Sequence, residues 1–180
     1  MSQDNTYAGL HAVVAEDSAH MRALLRSMLR ALGFAQVTAE SNGGDALRVV
    51  ETNWPDVALV DWNMPEMNGI ELAGAIRALD EPLCRTPIIM VTAHASQARL
   101  AEAARLGVNS FLCKPLSVVG LDAHLRKVIR AADEQPMELT PPGRRERQRP
   151  VVEAIAAVSP SAAGDETDEN DDDGREAAYI

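Results

Sequence analysis

Polar side chains that could bind an ion or take part in a reaction follow four of the five short apolar runs in this sequence. Glu16 and Asp17 follow residues 10–15, Asp61 follows residues 57–60, Thr92 follows residues 87–91, and Lys114 follows residues 110–113. A single carboxylate after an apolar run carries little information, because strand ends face water. Three carboxylates brought close together would raise one another's pKa unless a cation lay among them. Oxygen ligands of this kind suit Mg²⁺, which binds a few carboxylates and retains water.

The lysine adds a second positive charge to the same group of residues. A site that combines a divalent cation, Lys114 and the hydroxyl of Thr92 is short of one anion, most naturally a phosphoryl group. A carboxylate such as that of Asp61 can accept a phosphoryl group covalently. The residue types therefore predict phosphoryl chemistry at one place in the fold.

Strand-like and helix-like segments alternate along the chain and explain how these residues could meet. Strands are predicted at residues 10–15, 37–39, 57–60, 87–91 and 110–113. Amphipathic or capped helices are predicted at residues 18–32, 45–51, 69–79, 96–106 and 117–131. Five β-then-α units with nearly continuous apolar strands indicate a parallel sheet covered by helices on both faces. Ligands of such sheets bind at the carboxyl ends of the strands, where the polar residues stand.

With these motifs in place, the chain resembles the receiver domain of two-component response regulators. The resemblance rests on Glu16-Asp17, Asp61, Thr92-Ala93 and Lys114-Pro115, and on the loop D-W-N-M-P-E-M-N-G at residues 61–69, which is similar to the chemotaxis, CheY-like type. It covers residues 10–132. It implies an α/β, flavodoxin-like, doubly wound sheet of five parallel strands in the order 2-1-3-4-5, with five helices.

The resemblance also implies a role for individual residues. Asp61 becomes the phosphoacceptor, and Mg²⁺ is bound by Glu16, Asp17, Asp61 and the main-chain carbonyl of Asn63. The phosphoryl group is contacted by Thr92 and Lys114. The switch is formed by Thr92 and Phe111, and the lifetime of the phosphoryl group is tuned by Asn63 and His94. Phe111 lacks the hydroxyl of a tyrosine, so packing alone would hold its inward state. The implied partners are a histidine kinase or phosphotransferase and a downstream target protein.

An aspartate-nucleophile phosphatase is a chemically adjacent alternative. Such enzymes usually carry a second aspartate two residues after the nucleophile, and Asn63 stands there. We therefore expect a signalling switch with limited self-catalysed phosphorylation and dephosphorylation, not a turnover enzyme. The sequence shows neither a signal peptide nor a membrane-length apolar run, and Cys84 and Cys113 lack metal or redox spacing. These features predict a cytoplasmic protein that does not bind a membrane.

The composition changes after the predicted receiver, at residues 133–180. Residues 134–180 hold 12 of the 27 acidic residues but only 5 of the 17 basic ones. We expect a flexible segment at residues 1–9, the receiver at residues 10–132 and a largely disordered, low-complexity tail at residues 133–180, with an acidic end at residues 165–176. A tail of this kind contains no DNA-binding domain, so output would pass through binding to another protein.

An arginine cluster at residues 144–149 leaves two interpretations open. Its members are Arg144, Arg145, Arg147 and Arg149. The first interpretation is a solvated segment that neutralises the acidic end or folds back on the receiver. The second is a binding patch for a partner or for a nucleotide second messenger such as cyclic di-GMP, because guanidinium groups suit phosphates and bases. The second would make the receiver a scaffold for the tail.

Overall fold

The computed structural model describes residues 6–93 and 96–134. Five strands and five α-helices alternate in this part of the chain. The strands are β1 (His11–Ala15), β2 (Gln36–Glu40), β3 (Val57–Asp61), β4 (Ile88–Thr92) and β5 (Ser110–Cys113). The helices are α1 (Ala19–Leu32), α2 (Gly43–Asn53), α3 (Gly69–Arg77), α4 (Gln97–Arg105) and α5 (Val118–Glu134), with a 3-10 turn at Leu83–Arg85 before β4.

The strands form one parallel sheet in the order β2-β1-β3-β4-β5, which confirms the predicted topology. β1, β3 and β4 are buried along their whole length, as expected for strands covered on both faces. One apolar core joins the sheet to α2 and α3, and a second joins it to α1 and α5. The edge strand β2 is only half-buried, which explains its weak signal in the sequence.

Local sequence signals fix the ends of the helices. Ser18 caps α1 by accepting from the Met21 amide, and Gly33 ends that helix at a φ of 102°, a left-handed conformation that glycine adopts without strain. Asn68 caps α3 in a capping box completed by Glu71, whose carboxylate accepts from the Asn68 amide. Ser18 and Asn68 thereby fix where two loops at the carboxyl edge of the sheet end, whereas Gly33 lies at the opposite edge, before β2.

The segment before the sheet departs from prediction. Residues 1–9 were expected to be flexible, yet Tyr7 is only 2% exposed and stacks on Phe34 with ring centroids 4.7 Å apart. Its hydroxyl donates to Oδ1 of Asp122 on α5 at 2.6 Å. The prediction is wrong for Tyr7, because an aromatic ring with a hydrogen-bond partner gains more from burial than from solvation. α5 also runs to Glu134, past the predicted boundary at residue 132.

Among the helices that the structure describes, none is long and apolar enough to cross a bilayer. The arginine cluster, the acidic end and the rest of the predicted tail beyond residue 134 lie outside the described residues, so their structure stays a prediction.

Candidate phosphoryl-acceptor site

The sheet brings the predicted site residues to one edge. Parallel pairing places Asp61 beside Val91 at the end of β3, and Thr92 beside Cys113 at the end of β4. Lys114 follows β5 directly, and its amide donates to the Thr92 carbonyl at 2.9 Å. The parallel sheet thus makes neighbours of residues far apart in sequence, as expected for residues at the carboxyl ends of its strands.

Three carboxylates converge at this edge. Glu16, Asp17 and Asp61 each offer an oxygen, and these oxygens all lie within 4.8 Å of one another. Glu16 is 1% exposed and Asp61 6% exposed, whereas Asp17 is open to solvent. Burial is the main cause of the raised pKa of Glu16, and the negative charge of Asp61 adds to it. The hydrogen bond from Lys114 lowers this pKa but does not cancel the rise. The repulsion expected from the sequence is therefore present in the structure.

Lys114 compensates part of this negative charge. Its Nζ lies 2.6 Å from Oδ1 of Asp61 and 3.0 Å from Oε2 of Glu16. Burial alone would lower the pKa of Lys114, but the hydrogen bonds to Asp61 and Glu16 outweigh it, so the pKa is raised. The lysine therefore stays charged at neutral pH. The peptide bond that follows it, between Lys114 and Pro115, is cis.

The loop after β3 holds the acceptor carboxylate from its other side. The Asn63 amide donates to Oδ2 of Asp61 at 2.8 Å, so each oxygen of Asp61 has a donor. Gly69 closes the loop: its amide donates to the Trp62 carbonyl, and a Cβ at this position would lie 2.3 Å from the Asp61 carbonyl oxygen. A larger residue would therefore push against the backbone that carries the acceptor.

The two predicted switch residues lie on adjacent strands. Thr92 is almost fully buried at the end of β4. Phe111 on β5 is half-buried, pairs with Met90 in register, and packs against the core formed with α2 and α3. His94 lies outside the described residues, so its role stays a prediction.

Two features of the site were not predicted from the sequence. Arg22 on α1 donates from Nη1 to the carbonyls of Glu16 and Asp17, at 2.8 and 3.0 Å, and holds that turn in place. Arg99 on α4 lies over the ring of Trp62, with its guanidinium carbon 5.5 Å from the ring centroid. The only sequence signal for Arg22 was a basic residue one turn into the helix after the acids, and Arg99 gave none.

The charge of the site fits a divalent cation. Among the described residues, three carboxylates contact or face a single ammonium group, an excess of two negative charges, and the Arg22 guanidinium is directed at carbonyls, not at the carboxylates. Carboxylate oxygens at this spacing, with one carboxylate open to water, are a donor set that Mg²⁺ accepts. The donor set therefore fits the predicted cation.

Comparison with known proteins agrees with the geometry. The family model for the response regulator receiver domain matches residues 12–126. The chain is 37% identical over 116 residues to the chemotaxis protein CheY of Pseudomonas aeruginosa, a match that covers 64% of this chain and 93% of the relative. It is also 37% identical over 116 residues to CheY-3 of Vibrio cholerae, covering 64% of this chain and 88% of that protein.

Solved structures give the same result. Vibrio cholerae CheY4 superimposes with a TM-score of 0.63 at 29% identity, covering 67% of this chain and 99% of that one. The receiver domain of the sensor histidine kinase PA1611 from Pseudomonas aeruginosa, solved with a magnesium ion coordinated in its active site cleft, superimposes with a TM-score of 0.62 at 32% identity, covering 68% and 99%. This chain therefore belongs to the response regulator receiver domain family.

Proposed function

We propose that the chain is a Mg²⁺-dependent phosphoacceptor of a two-component or phosphorelay system, in which Asp61 receives the phosphoryl group. One observation carries the proposal: the buried carboxylate of Asp61 contacts Lys114 at 2.6 Å and shares its edge of the sheet with two further acids. A buried acid whose two oxygens accept from the Lys114 ammonium and from the Asn63 amide is positioned to react, not merely to face solvent.

Glu16, Asp17 and Asp61 would hold the Mg²⁺ ion, together with the main-chain carbonyl of Asn63. The excess negative charge of the site supports this assignment, as does the magnesium ion in the receiver domain of PA1611. When bound, the cation neutralises carboxylate charge and the oxygens of a transferring phosphoryl group. The exposed position of Asp17 keeps the metal position open to water and to the donor phosphate.

In the reaction, a carboxylate oxygen of Asp61 forms a bond to phosphorus while the phosphorus–nitrogen bond of a donor phosphohistidine breaks. The bonding electron pair remains on the imidazole nitrogen, and the product is an acyl phosphate on Asp61. Lys114 lies where it can balance the charge of the phosphoryl oxygens, since its Nζ already contacts Asp61. The protein contributes mainly positioning and charge stabilisation, which is what a loose transition state for phosphoryl transfer requires.

The acyl phosphate would then shift the chain between two conformations. Thr92, at the end of the neighbouring strand, is the group we assign to the phosphoryl oxygen, and Phe111 is the ring that would follow it inward. Complete switching needs roughly 5 kcal/mol of differential stabilisation. New hydrogen bonds and relief of the carboxylate repulsion at Glu16 are its physical sources.

The proposed partners are a histidine kinase or phosphotransferase as donor and a target protein as receiver of the signal. The chain would act as a signalling switch with limited self-catalysed phosphorylation and loss of the phosphoryl group. Asn63 and His94 would tune the lifetime of the acyl phosphate. The alternative, in which Arg144, Arg145, Arg147 and Arg149 bind a partner or cyclic di-GMP, stays a prediction about residues outside the described part.

Incubation with acetyl phosphate and Mg²⁺, followed by intact-mass measurement, tests the assignment. We expect a mass gain of one phosphoryl group that is lost in Asp61→Asn and in the presence of a chelator. Asp80→Asn, which changes an exposed aspartate outside the site, is the matched control and should behave as the native chain. Equal phosphorylation of the native chain and Asp61→Asn would overturn the proposal.

A further inference from the structure

A groove lies at the amino edge of the sheet, opposite the acceptor site. It is lined by residues that precede the strands and by the end of α5, among them Leu10, Trp54, Pro55, Leu83, Pro87 and Ile129, and its volume is about 360 Å³. This volume falls in the range of specific binding sites, and most of the lining side chains are apolar. The proposed phosphoryl chemistry uses none of these residues.

Trp54 gives the groove an aromatic wall. It ends α2 in a left-handed conformation, with a φ of 52°, and its amide donates to the Val50 carbonyl. The side chain remains 58% exposed, and it is the only aromatic among the exposed large apolar residues of the described part. Trp54, Pro55 and Pro87 together give the groove a continuous apolar wall on which another apolar segment can pack.

The chain itself supplies such a segment at the rim of the groove. Ile129 and Ala132 of α5 line the groove, and the described part of the chain ends two residues later, at Glu134. The next residues are Q-P-M-E-L-T-P-P. Five of them are apolar and follow Ala132, which lines the groove, by 4 to 10 positions: Pro136, Met137, Leu139, Pro141 and Pro142. Prolines and apolar side chains at this spacing suit an aromatic-lined groove, as in recognition of proline-rich segments.

We propose that residues 136–142 dock in this groove of their own chain. Eight residues after Glu134 span up to roughly 25 Å when extended, which is ample for a groove whose wall begins at Ala132. Because the segment is tethered at the rim, docking is an intramolecular step with a high effective concentration, so modest contacts suffice. This proposal does not depend on phosphorylation of Asp61.

Two opposite charges line the groove: Arg85, and Asp56, whose Oδ2 accepts from the His11 amide at 2.7 Å. Arg85 lines the groove and pairs with Glu81 through its Nη2 at 2.9 Å, in a pair that is partly exposed on both sides. Glu138 is the acidic residue of the proposed docking segment, and it would pair with the same guanidinium once the segment is docked. An exposed pair of this kind contributes little by itself, so the apolar contacts with Trp54 carry the docking.

The test uses the full chain with ¹³C-methyl methionine, in which Met137 is assigned by Met137→Leu. We expect its methyl signal to be shifted upfield by the Trp54 ring and to return to the position of a free peptide in Trp54→Asn. Asparagine tolerates the left-handed conformation, and Val119→Asn, at another exposed apolar position, is the matched control. A Met137 signal at the free-peptide position in the native chain would overturn the proposal.

Substitutions in the segment itself give a second test that leaves the folded part unchanged. With Leu139, Pro141 and Pro142 replaced by serine, the accessibility of Trp54 to acrylamide should rise about twofold, because the docked segment no longer covers the ring. Serine at Val151, Val152 and Ile155 is the control. Equal quenching in all three proteins contradicts the proposal, and protection that disappears on dilution assigns the groove to a second copy of the chain instead.

Discussion

Lys114 Nζ lies 2.6 Å from Oδ1 of Asp61, closer than to any oxygen of Glu16, the other carboxylate that it contacts. The lysine therefore binds most tightly to the carboxylate that we assign as phosphoacceptor. The contact also stabilises the resting fold, because it offsets repulsion within the acidic cluster. One residue thus serves both the stability of the fold and the proposed chemistry.

We expect Lys114→Met to lose phosphorylation by acetyl phosphate and to lower the free energy of unfolding by about 1–3 kcal/mol in the absence of divalent cations. The free energy of unfolding falls because the two buried carboxylates of Glu16 and Asp61 then have no ammonium group between them. Mg²⁺ should restore part of the stability in urea unfolding. Lys127→Met, at an exposed position on α5, is the control, and a Lys114→Met protein as stable as this control would contradict the prediction.

Gly69 and Gly74, both in α3, should respond in opposite ways to alanine. A Cβ at Gly69 would lie 2.3 Å from the Asp61 carbonyl oxygen and 2.9 Å from the Met90 sulfur, whereas a Cβ at Gly74 meets nothing within 4 Å. We expect Gly69→Ala to destabilise by at least about 2 kcal/mol and to slow phosphorylation. Gly74→Ala should stabilise by about 0.5–1 kcal/mol, since alanine favours the helix. Equal effects on the two unfolding midpoints would refute this reasoning.

Much of the fold and most of the site could be predicted from the sequence. β5 was predicted with its observed bounds because an apolar run is enclosed by polar residues, and Ser18 and Gly33 mark the ends of α1. A parallel sheet then places Asp61 and Lys114 at one edge, whereas the order of the strands was implied only by the resemblance to receiver domains. The chemistry of the site follows from residue types at strand ends.

The rest depends on contacts between residues distant in the chain, which leave no local pattern. Gly69 is needed because a Cβ there would meet the carbonyl of Asp61, eight residues earlier, and no local pattern reveals that contact. Tyr7 was placed in a flexible segment because neither Phe34 nor Asp122 can be identified as its partner from spacing. Arg77 gave no signal in the sequence, yet its guanidinium donates to carbonyls in two separate connections, α3–β4 and α4–β5.

Arg77 joins α3 to the amino ends of β4 and β5 through its guanidinium. Its donors reach the carbonyls of Cys84, Thr86 and Gly107 and the side chain of Asn109, at 2.7 to 3.2 Å. Burial lowers the pKa of this arginine. Its guanidinium also supplies hydrogen-bond donors to these backbone carbonyls. We expect Arg77→Lys to lower the free energy of unfolding by about 2–4 kcal/mol, because an ammonium cannot reach all these acceptors.

Chemical denaturation of Arg77→Lys beside Arg105→Lys measures this effect. Arg105 is exposed at the end of α4, so its replacement should change stability by less than about 0.5 kcal/mol. Similar denaturation midpoints for the two variants would show that the guanidinium contacts of Arg77 do not contribute to stability.

The bond from Tyr7 to Asp122 should make stability depend on acid pH. That hydrogen bond, and then Arg126, hold the pKa of Asp122 below its ordinary value of 3.8, against the opposing effect of burial. The contribution of Asp122 is therefore complete above pH 3.8 and is lost as the pH falls through the lowered pKa of the folded state. We expect Tyr7→Phe to cost about 1–2 kcal/mol at neutral pH.

Urea unfolding of the native chain and Tyr7→Phe as a function of pH tests this contribution. The difference between the two proteins should shrink as the pH falls below about 4, because the hydrogen bond then loses its charged acceptor. Tyr179→Phe, at the other tyrosine of the chain, is the control. A difference that stays constant down to the most acid pH would contradict the role assigned to Asp122.

Trp62 should report the state of Asp61 through Arg99. The ring is buried beside the acceptor, and the guanidinium of Arg99 in the first turn of α4 lies over it at 5.5 Å. A phosphoryl group on Asp61 would attract Arg99 and weaken its contact with the ring, which contributes about 0.5–1 kcal/mol. We therefore expect beryllofluoride with Mg²⁺ to change Trp62 emission, and Arg99→Ala to reduce the amplitude of that change without preventing phosphorylation. The signal of Trp62 is obtained by subtracting that of Trp62→Phe, and Arg105→Ala on the same helix is the control. An equal amplitude in Arg99→Ala and Arg105→Ala would show that α4 does not sense the acceptor site through this contact.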